Sequence, residues 1–317
     1  GSENKGLSGI ELSLDSVLTG TAGRVVRAKN AYGSDMLFTK FEDYYDSEDG
    51  SDVVLTIDST IQYYVEKHLR QAVEDYGVQN GAAAIAMDVN TGEILALASL
   101  GNFDLNNYQA VSEEAQAKID EASDETVKKT LLSQAQLLQW RDKAVEDTYE
   151  PGSTFKIITL SMALEEGVVD LDSDFYCGGF ISVTGDSEGQ GRHCWKKQGH
   201  GSQTLTQAVQ HSCNVAFINI GLRVGAENFY KYARAFGFFE PTGIELAGES
   251  SSVWWTEDVF FDPMNKTQLA AASFGQTFTI TPLQLITAVS ACANGGYLMH
   301  PYLVKEVMDG DGNTVSK

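Results

Sequence analysis

Residues 149–167 read YEPGSTFKIITLSMALEEG, and this stretch places a serine and a lysine at the start of a long apolar helix. Ser153 and Lys156 stand at positions i and i+3, which share one face of a helix, with Cβ atoms roughly 5–6 Å apart. In a first helical turn, free N–H groups and the helix dipole stabilise a negative charge on Ser153. Apolar neighbours such as Phe155 and Ile158 make an ammonium at Lys156 costly, which lowers the lysine pKa. The pair therefore predicts a serine nucleophile with a lysine base.

A structural interpretation competes with this one. Ser-x-x-Lys is a weak pattern that also occurs at Ser2–Lys5, and a lysine on an apolar helix commonly extends to solvent. A second pattern, Ser212-Cys213-Asn214, interrupts two apolar helical segments further along the chain. A hydroxyl and an amide at such a break can relay a proton and hold a substrate amide. The two motifs, each at a helix boundary, support each other.

Composition excludes one class of function. The chain has 317 residues and a formal net charge of −22, which would repel nucleic-acid phosphates, so we expect no nucleic-acid partner. No run of about 18 apolar residues is present, which predicts no membrane-spanning segment within it.

The hydrophobic patterns predict an α+β fold, with a mainly antiparallel sheet flanked by helices. A helix from Ser59 to about Tyr76 is expected to start with a capping box at Ser59–Gln62. Two strands within 82–100 should meet at a turn, Asn90-Thr91-Gly92. Further segments are predicted as strands at 52–58 and 302–315, and as apolar helices at 153–167, 204–225 and 281–296. In the helix-prone region 108–147, the side expected to be buried is Leu131, Leu132, Leu137, Leu138 and Trp140.

Several segments together resemble class B penicillin-binding proteins. Ser-x-x-Lys and Ser-x-Asn are the first two motifs of that family's signature. The likeness covers nearly the whole chain, in GLSGIELSLDSVLTGTAGR (6–24), VVLTIDSTIQYYVE (53–66), AIAMDVNTGEILALAS (84–99) and SFGQTFTITPLQLITAVSACANGGYLMHPYLV (273–304). The resemblance implies the fold shared by penicillin-binding proteins and serine β-lactamases.

The family chemistry is D,D-transpeptidation, which cross-links peptidoglycan through a serine acyl-enzyme. The resemblance implies that Ser153 attacks the D-Ala-D-Ala end of a stem peptide and that Lys156 takes its proton. By the same resemblance, Ser212 passes a proton to the leaving D-Ala, and Asn214 binds the stem-peptide amide. β-Lactams, which mimic D-Ala-D-Ala, are expected to acylate Ser153. No cofactor is required for this chemistry.

The resemblance also implies a domain organisation and a location. Residues 1–50 are expected to be a linker or the remnant of an N-terminal pedestal domain, and 51–317 a transpeptidase domain. Relatives place this domain on the extracytoplasmic side of the cell membrane, behind a single-pass anchor that would lie outside this chain. A membrane glycan polymerase is the expected protein partner.

Two departures from the family pattern stand out. The third motif, Lys-Thr-Gly or a variant of it, is absent from the sequence, so we expect the domain to be incomplete at its C-terminal end. In addition, relatives usually have glycine after Gly-Gln in the SFGQ stretch, where this chain has Thr277.

Three cysteines and a histidine suggest a structural zinc site. Cys177, Cys194, His200 and Cys213 have the spacing C-x16-C-x5-H-x12-C, and three thiolates with one imidazole form a closed four-ligand set. A Cys194–Cys213 disulfide is the alternative, because the domain should face outside the membrane, and three unpaired thiols are also possible. Cys292 is predicted to be a core thiol.

Other functions stay open at this point. A D,D-carboxypeptidase or β-lactamase would use the same serine chemistry, although the pedestal-like segment 6–24 favours the transpeptidase. A non-catalytic β-lactam sensor or cell-wall scaffold would keep the fold, and the missing third motif favours that reading.

Overall fold

The computed structural model describes residues 5–27, 42–101 and 103–316. The described residues form two compact units. The first unit comprises those within Gly1–Thr56, Ile244–Gly248 and Tyr302–Lys317, and the second those within Ile57–Gly243 and Glu249–Pro301.

The described residues contain eleven strands, thirteen α-helices and two 3₁₀ turns. The strands are β1 Arg24–Arg27, β2 Glu42–Tyr45, β3 Asp52–Leu55, β4 Ala83–Met87, β5 Ile94–Ser99, β6 Asp174–Cys177, β7 Phe180–Ile181, β8 Arg192–His193, β9 Gly201–Thr204, β10 Val304–Met308 and β11 Thr314–Ser316. The α-helices are α1 Gly9–Ser13, α2 Asp15–Leu18, α3 Ser59–Tyr76, α4 Glu113–Glu121, α5 Glu125–Trp140, α6 Lys143–Glu146, α7 Lys156–Glu165, α8 Leu205–Gln210, α9 Asn214–Val224, α10 Ala226–Ala235, α11 Glu257–Phe260, α12 Thr267–Ala272 and α13 Pro282–Ala293. Two 3₁₀ turns lie at Leu105–Asn107 and Gly152–Phe155.

The first unit contains a three-stranded antiparallel sheet in the order β11-β10-β3 and the antiparallel pair β1-β2. The strands predicted within 52–58 and 302–315 are therefore confirmed. The described part of residues 1–50, which were expected to be a linker or the remnant of an N-terminal pedestal domain, forms α1, α2 and the β1-β2 pair. Residues 28–41 lie outside the described residues, and the division at residue 50 into linker and domain stays a prediction.

In the second unit, the predicted hairpin and the long helix pack together. β4 and β5 are antiparallel, and the Asp88 side chain accepts the N–H of Asn90 at 2.8 Å in the turn between them. Gly92 completes that turn with φ +87°, a conformation that glycine adopts without steric cost. Helix α3 packs on both strands, and α13 packs on β4.

Helices α7 and α9 form the centre of the second unit, with α10, α12 and α13 around them. Phe155 is fully buried beside the aromatic rings of Phe229, Phe238, Trp254 and Phe278. Such a ring cluster contributes a large apolar area to the core. Because Phe155 lies two residues after Ser153, the core anchors the turn that carries the serine.

All strand pairs among the described residues are antiparallel, and helices pack beside them, so the α+β class is confirmed. Within the same residues, no helix has both the length and the apolar character needed to cross a membrane.

Three local predictions are wrong. Leu137 and Leu138 on α5 are 63% and 62% exposed, and no residue of that helix is buried, because apolar spacing alone does not bring a packing partner. Cys292 is exposed, with its thiol 3.2 Å from the Ser161 hydroxyl of α7, so it is not a core residue.

The capping box at Ser59 is also wrong. The N-cap of α3 is Asp58, whose carboxylate accepts the N–H groups of Thr60 and Ile61 at 2.8 and 2.9 Å. The Gln62 amide instead bonds the backbone of Leu97 in β5. True capping boxes occur at Thr204–Gln207 and Thr281–Gln284, where α8 and α13 begin.

This assignment predicts unequal effects of two neighbouring substitutions. Asp58→Ala should destabilise the start of α3 by about 1 kcal/mol, because two backbone donors lose their acceptor. Ser59→Ala, the matched control, should change stability by less than about 0.5 kcal/mol. Amide hydrogen exchange at Thr60 and Ile61 measures the difference, and equal exchange in the two variants would contradict the assignment.

Candidate active site

The Pro151-Gly152 pair shapes the turn that carries Ser153. Ser153 lies in the 3₁₀ turn Gly152–Phe155, and α7 begins at Lys156, so the serine stands one turn before the α-helix rather than inside it. In a 3₁₀ turn, side chains at i and i+3 nearly eclipse each other, which brings Ser153 over Lys156. Ser153 is exposed, and Lys156 is 4% exposed.

The Lys156 amine sits among four oxygen atoms. Its Nζ lies 3.2 Å from Ser153 Oγ and 3.0 Å from Ser212 Oγ. It also lies 2.8 Å from both the Ser212 carbonyl oxygen and Asn214 Oδ1. The four residues predicted as catalytic are therefore brought together.

Burial lowers the pKa of Lys156 to about 8, although the nearby Cys194 and Cys213 thiols oppose the shift. The Ser212 carbonyl and Asn214 Oδ1 can only accept hydrogen bonds from the amine, whereas the two serine hydroxyls can either accept from it or donate to it. The lone pair of the proton-free amine can therefore accept a hydrogen bond from either hydroxyl.

The break between α8 and α9 is a strained turn. Ser212 has φ +47°, and Cys213 caps α9 by accepting the Ala216 N–H at 3.5 Å. The left-handed conformation costs a non-glycine residue roughly 1–2 kcal/mol, and here it directs the Ser212 carbonyl and hydroxyl toward Lys156. The Asn214 amide also donates to the His193 carbonyl at 3.3 Å, which orients its oxygen toward Lys156.

A second segment, 275–280, is fastened alongside the Ser153 turn. The Gly152 N–H donates to the Gly275 carbonyl at 2.8 Å, and Tyr149 forms a β-bridge with Ile280. A Cβ at Gly275 would lie 2.0 Å from the Gly152 carbonyl oxygen, so only glycine permits this approach. Thr277 has φ +72°. Ser212 and Thr277 are the two non-glycine residues with positive φ in the described part of the chain.

Ser153 opens into a cleft of about 290 Å³. Its walls are formed by Gly152, Ser153, Gly191, Arg192, His193, Asn214, Phe274 and Gln276. The Arg192 guanidinium pairs with Asp186 at 2.7 Å, so its charge is largely neutralised. Arg192, His193 and Gln276 were not predicted from the sequence as residues of this cleft, because nothing local relates them to Ser153.

The four predicted metal ligands also cluster. The ligand atoms of Cys177, Cys194, His200 and Cys213 lie within 4.8 Å of one another, and the three thiols are buried and unpaired. The Cys194 and Cys213 sulfurs are 4.0 Å apart, and His200 Nδ1 is 3.7 Å from Cys194 Sγ. A tetrahedral zinc with bonds of about 2.3 Å to sulfur would separate its ligand atoms by nearly these distances. The donor set and its spacing therefore fit zinc.

Comparisons with known proteins identify the family. Residues 82–317 match the model of the penicillin binding protein transpeptidase domain, so the chain belongs to the penicillin-binding-protein transpeptidase family. It is 39% identical over 310 residues to stage V sporulation protein D of Bacillus subtilis, covering 98% of this chain and 43% of that protein. It is 27% identical over 297 residues to peptidoglycan D,D-transpeptidase FtsI of Escherichia coli, covering 93% of this chain and 43% of that protein.

Solved structures agree with the assignment. Penicillin binding protein 3 of Mycobacterium tuberculosis, complexed with aztreonam, matches with a TM-score of 0.77 and 29% identity, covering 99% of this chain and 59% of that one. The predicted class B resemblance and transpeptidase fold are confirmed. The chain spans about 43% of the length of the curated relatives it matches.

Proposed function

We propose that this chain carries the transpeptidase centre of a peptidoglycan D,D-transpeptidase that works through a serine acyl-enzyme. The observation that carries the proposal is the position of the Lys156 amine. It is almost fully buried and lies within hydrogen-bonding distance of the Ser153 and Ser212 hydroxyls together. A neutral amine in that position can take a proton from one hydroxyl and return it through the other.

In the first half-reaction, Ser153 Oγ attacks the penultimate D-Ala carbonyl carbon as its proton moves to Lys156 Nζ. The C–N bond to the terminal D-Ala breaks, and its nitrogen takes a proton from the Ser212 hydroxyl. Ser212 regains a proton from the Lys156 ammonium, so Lys156 is neutral again and an ester remains on Ser153. The Asn214 amide binds the stem peptide beside this path.

In the second half-reaction, an amine of another stem peptide attacks the ester. The new amide forms, the ester C–O bond breaks, and the amine's extra proton returns to Ser153 through Lys156. A β-lactam ring presents the same reactive amide, which opens on Ser153 to give a stable ester. β-Lactams are therefore proposed ligands.

Covalent labelling with a fluorescent penicillin tests this chemistry in the protein at its natural full length. Ser153→Ala should abolish the label, and Lys156→Ala should slow acylation by about 10²–10⁴-fold, since the base is lost. Ser161→Ala, a serine on the same helix, is the matched control and should label like the parent. A label retained by Ser153→Ala would contradict the proposal.

The same experiment separates the alternative functions. Fast hydrolysis of the penicillin, in place of a stable ester, would favour a β-lactamase or a D,D-carboxypeptidase. Absence of any label on the folded parent protein would favour a non-catalytic sensor or scaffold.

Acylation should also depend on pH in a defined direction. Since the pKa of Lys156 is lowered to about 8, the proton-free amine becomes the main form as pH rises through that value. The acylation rate should therefore increase about tenfold from pH 7 to pH 9. Stopped-flow labelling measures the profile, with circular dichroism to verify that the fold is intact at each pH. A flat or falling profile would show that Lys156 is not the base.

We further propose that Cys177, Cys194, His200 and Cys213 hold a structural zinc ion. Support comes from the close approach of their ligand atoms and the burial of all three thiols. Four protein ligands close the site, so the metal would supply cross-linking and no chemistry. It would connect β6 and the segment after β8 to the turn at Ser212.

Removal of the metal should therefore lower the melting temperature. Structural zinc contributes several kcal/mol, so chelation should reduce the midpoint by at least about 5 °C. Cys177→Ser should melt early and respond no further to chelator, whereas Cys292→Ser, outside the cluster, should behave like the parent. Elemental analysis should find zinc. An unchanged midpoint without zinc, or a mass lower by two hydrogens from a Cys194–Cys213 disulfide, would exclude the proposal.

The cellular setting is proposed from the relatives. The enzyme acts at the cell membrane with its transpeptidase domain on the extracytoplasmic side, where stem peptides are exposed. A membrane glycan polymerase that supplies the strands is the proposed protein partner.

A further inference from the structure

Thr277 occupies a backbone conformation that its side chain disfavours. Its φ is +72°, and a β-branched residue in that region is a steric outlier. Thr277 and Gln276 are exposed between Phe274 and Phe278, which are 6% and 2% exposed. Both ends of the turn are therefore held by the core, and the disfavoured φ is that of the exposed Thr277.

Two side chains outside this turn bond to Thr277. The Glu150 carboxylate accepts the N–H of Thr277 at 2.8 Å, a charge-assisted hydrogen bond. The Trp255 indole N–H also donates to Thr277 Oγ1, but at 3.4 Å, where such a bond is weak. Glu150 is therefore the main polar restraint on the conformation of Thr277.

The turn has a direct relation to the cleft. Gln276, the residue before Thr277, lines the same cleft as Ser153. Its side-chain amide makes no hydrogen bond with the described residues, so it has a donor and an acceptor available to a ligand. A change of φ at Thr277 would rotate the peptide that follows Gln276 and shift this amide.

We propose that Glu150 is a positioning residue that holds Thr277 in its left-handed conformation and so aims the Gln276 amide at a peptide-like ligand beside Ser153. The inference rests on the proposed function of Ser153. It adds a contact to the substrate's amide groups and explains how threonine is tolerated where glycine would adopt the conformation freely.

The test is the acylation kinetics of a fluorescent penicillin, resolved into the dissociation constant K of the initial complex and the acylation rate constant k2. Glu150→Ala should raise K about tenfold and leave k2 within about twofold, because binding is weakened while Ser153 and Lys156 stay in place. Glu150→Gln, which keeps a neutral acceptor, should raise K by about threefold. Glu257→Ala is the matched control, since it removes one exposed carboxylate of the same unit.

A rescue variant separates positioning from general destabilisation. Glycine at 277 needs no restraint to keep a positive φ, so in the Thr277→Gly background Glu150→Ala should change K by less than about twofold. In a Gln276→Ala background, Glu150→Ala should likewise have almost no effect on K. A tenfold effect in either background, a parental K in Glu150→Ala, or an effect on k2 with K unchanged would overturn the inference. Failure of the parent protein to label at Ser153 would instead overturn the proposed function.

Discussion

The burial of one amine organises the candidate site. Lys156 comes from α7, and its four oxygen partners come from the preceding turn and from the break between α8 and α9. A buried lysine without such partners would be strongly destabilising, so the helices that bring them are constrained to pack closely. The same contacts that satisfy the amine set the distances between the two serine hydroxyls and a possible base. Stability and chemistry therefore depend on one arrangement.

Backbone strain lies at two turns of the candidate site. Ser212 and Thr277 both adopt left-handed conformations, and each is contacted by a polar group. The Ser212 turn is also adjacent to Cys213, one of the four clustered residues proposed to bind a metal. A metal at that cluster would stabilise the turn at Ser212. The exposed Glu150 carboxylate is proposed to hold the turn at Thr277. Restraints outside the cleft therefore help to shape it.

Prediction from the sequence succeeded where the signal was local. The helix at Ser59–Tyr76, the hairpin around Gly92 and the break near Ser212 follow from periodicity and turn residues, and the structure has all three. It failed where the outcome depended on a packing partner. Leu137 and Leu138 have helical spacing but no core against them, and Cys292 faces outward from an apolar helix. The Ser59 box was wrong because Asp58 competes for the same backbone donors and Gln62 finds a strand instead.

The sequence by itself determined the two motifs, the candidate metal-ligand set and the pairing of Ser153 with Lys156. The pairing follows because residues three apart in a helical turn meet whatever surrounds them. Only the tertiary structure decided that Lys156 is buried, that Ser212 and Asn214 reach it, and that Arg192, His193 and Gln276 line the cleft. Those contacts join residues that are far apart in the chain. Their positions in the sequence do not reveal which helices and loops will pack together in the folded core. The proposed role of Glu150 also depends on the tertiary structure. Its carboxylate reaches the Thr277 N–H only because segment 275–280 is folded alongside residues 149–152.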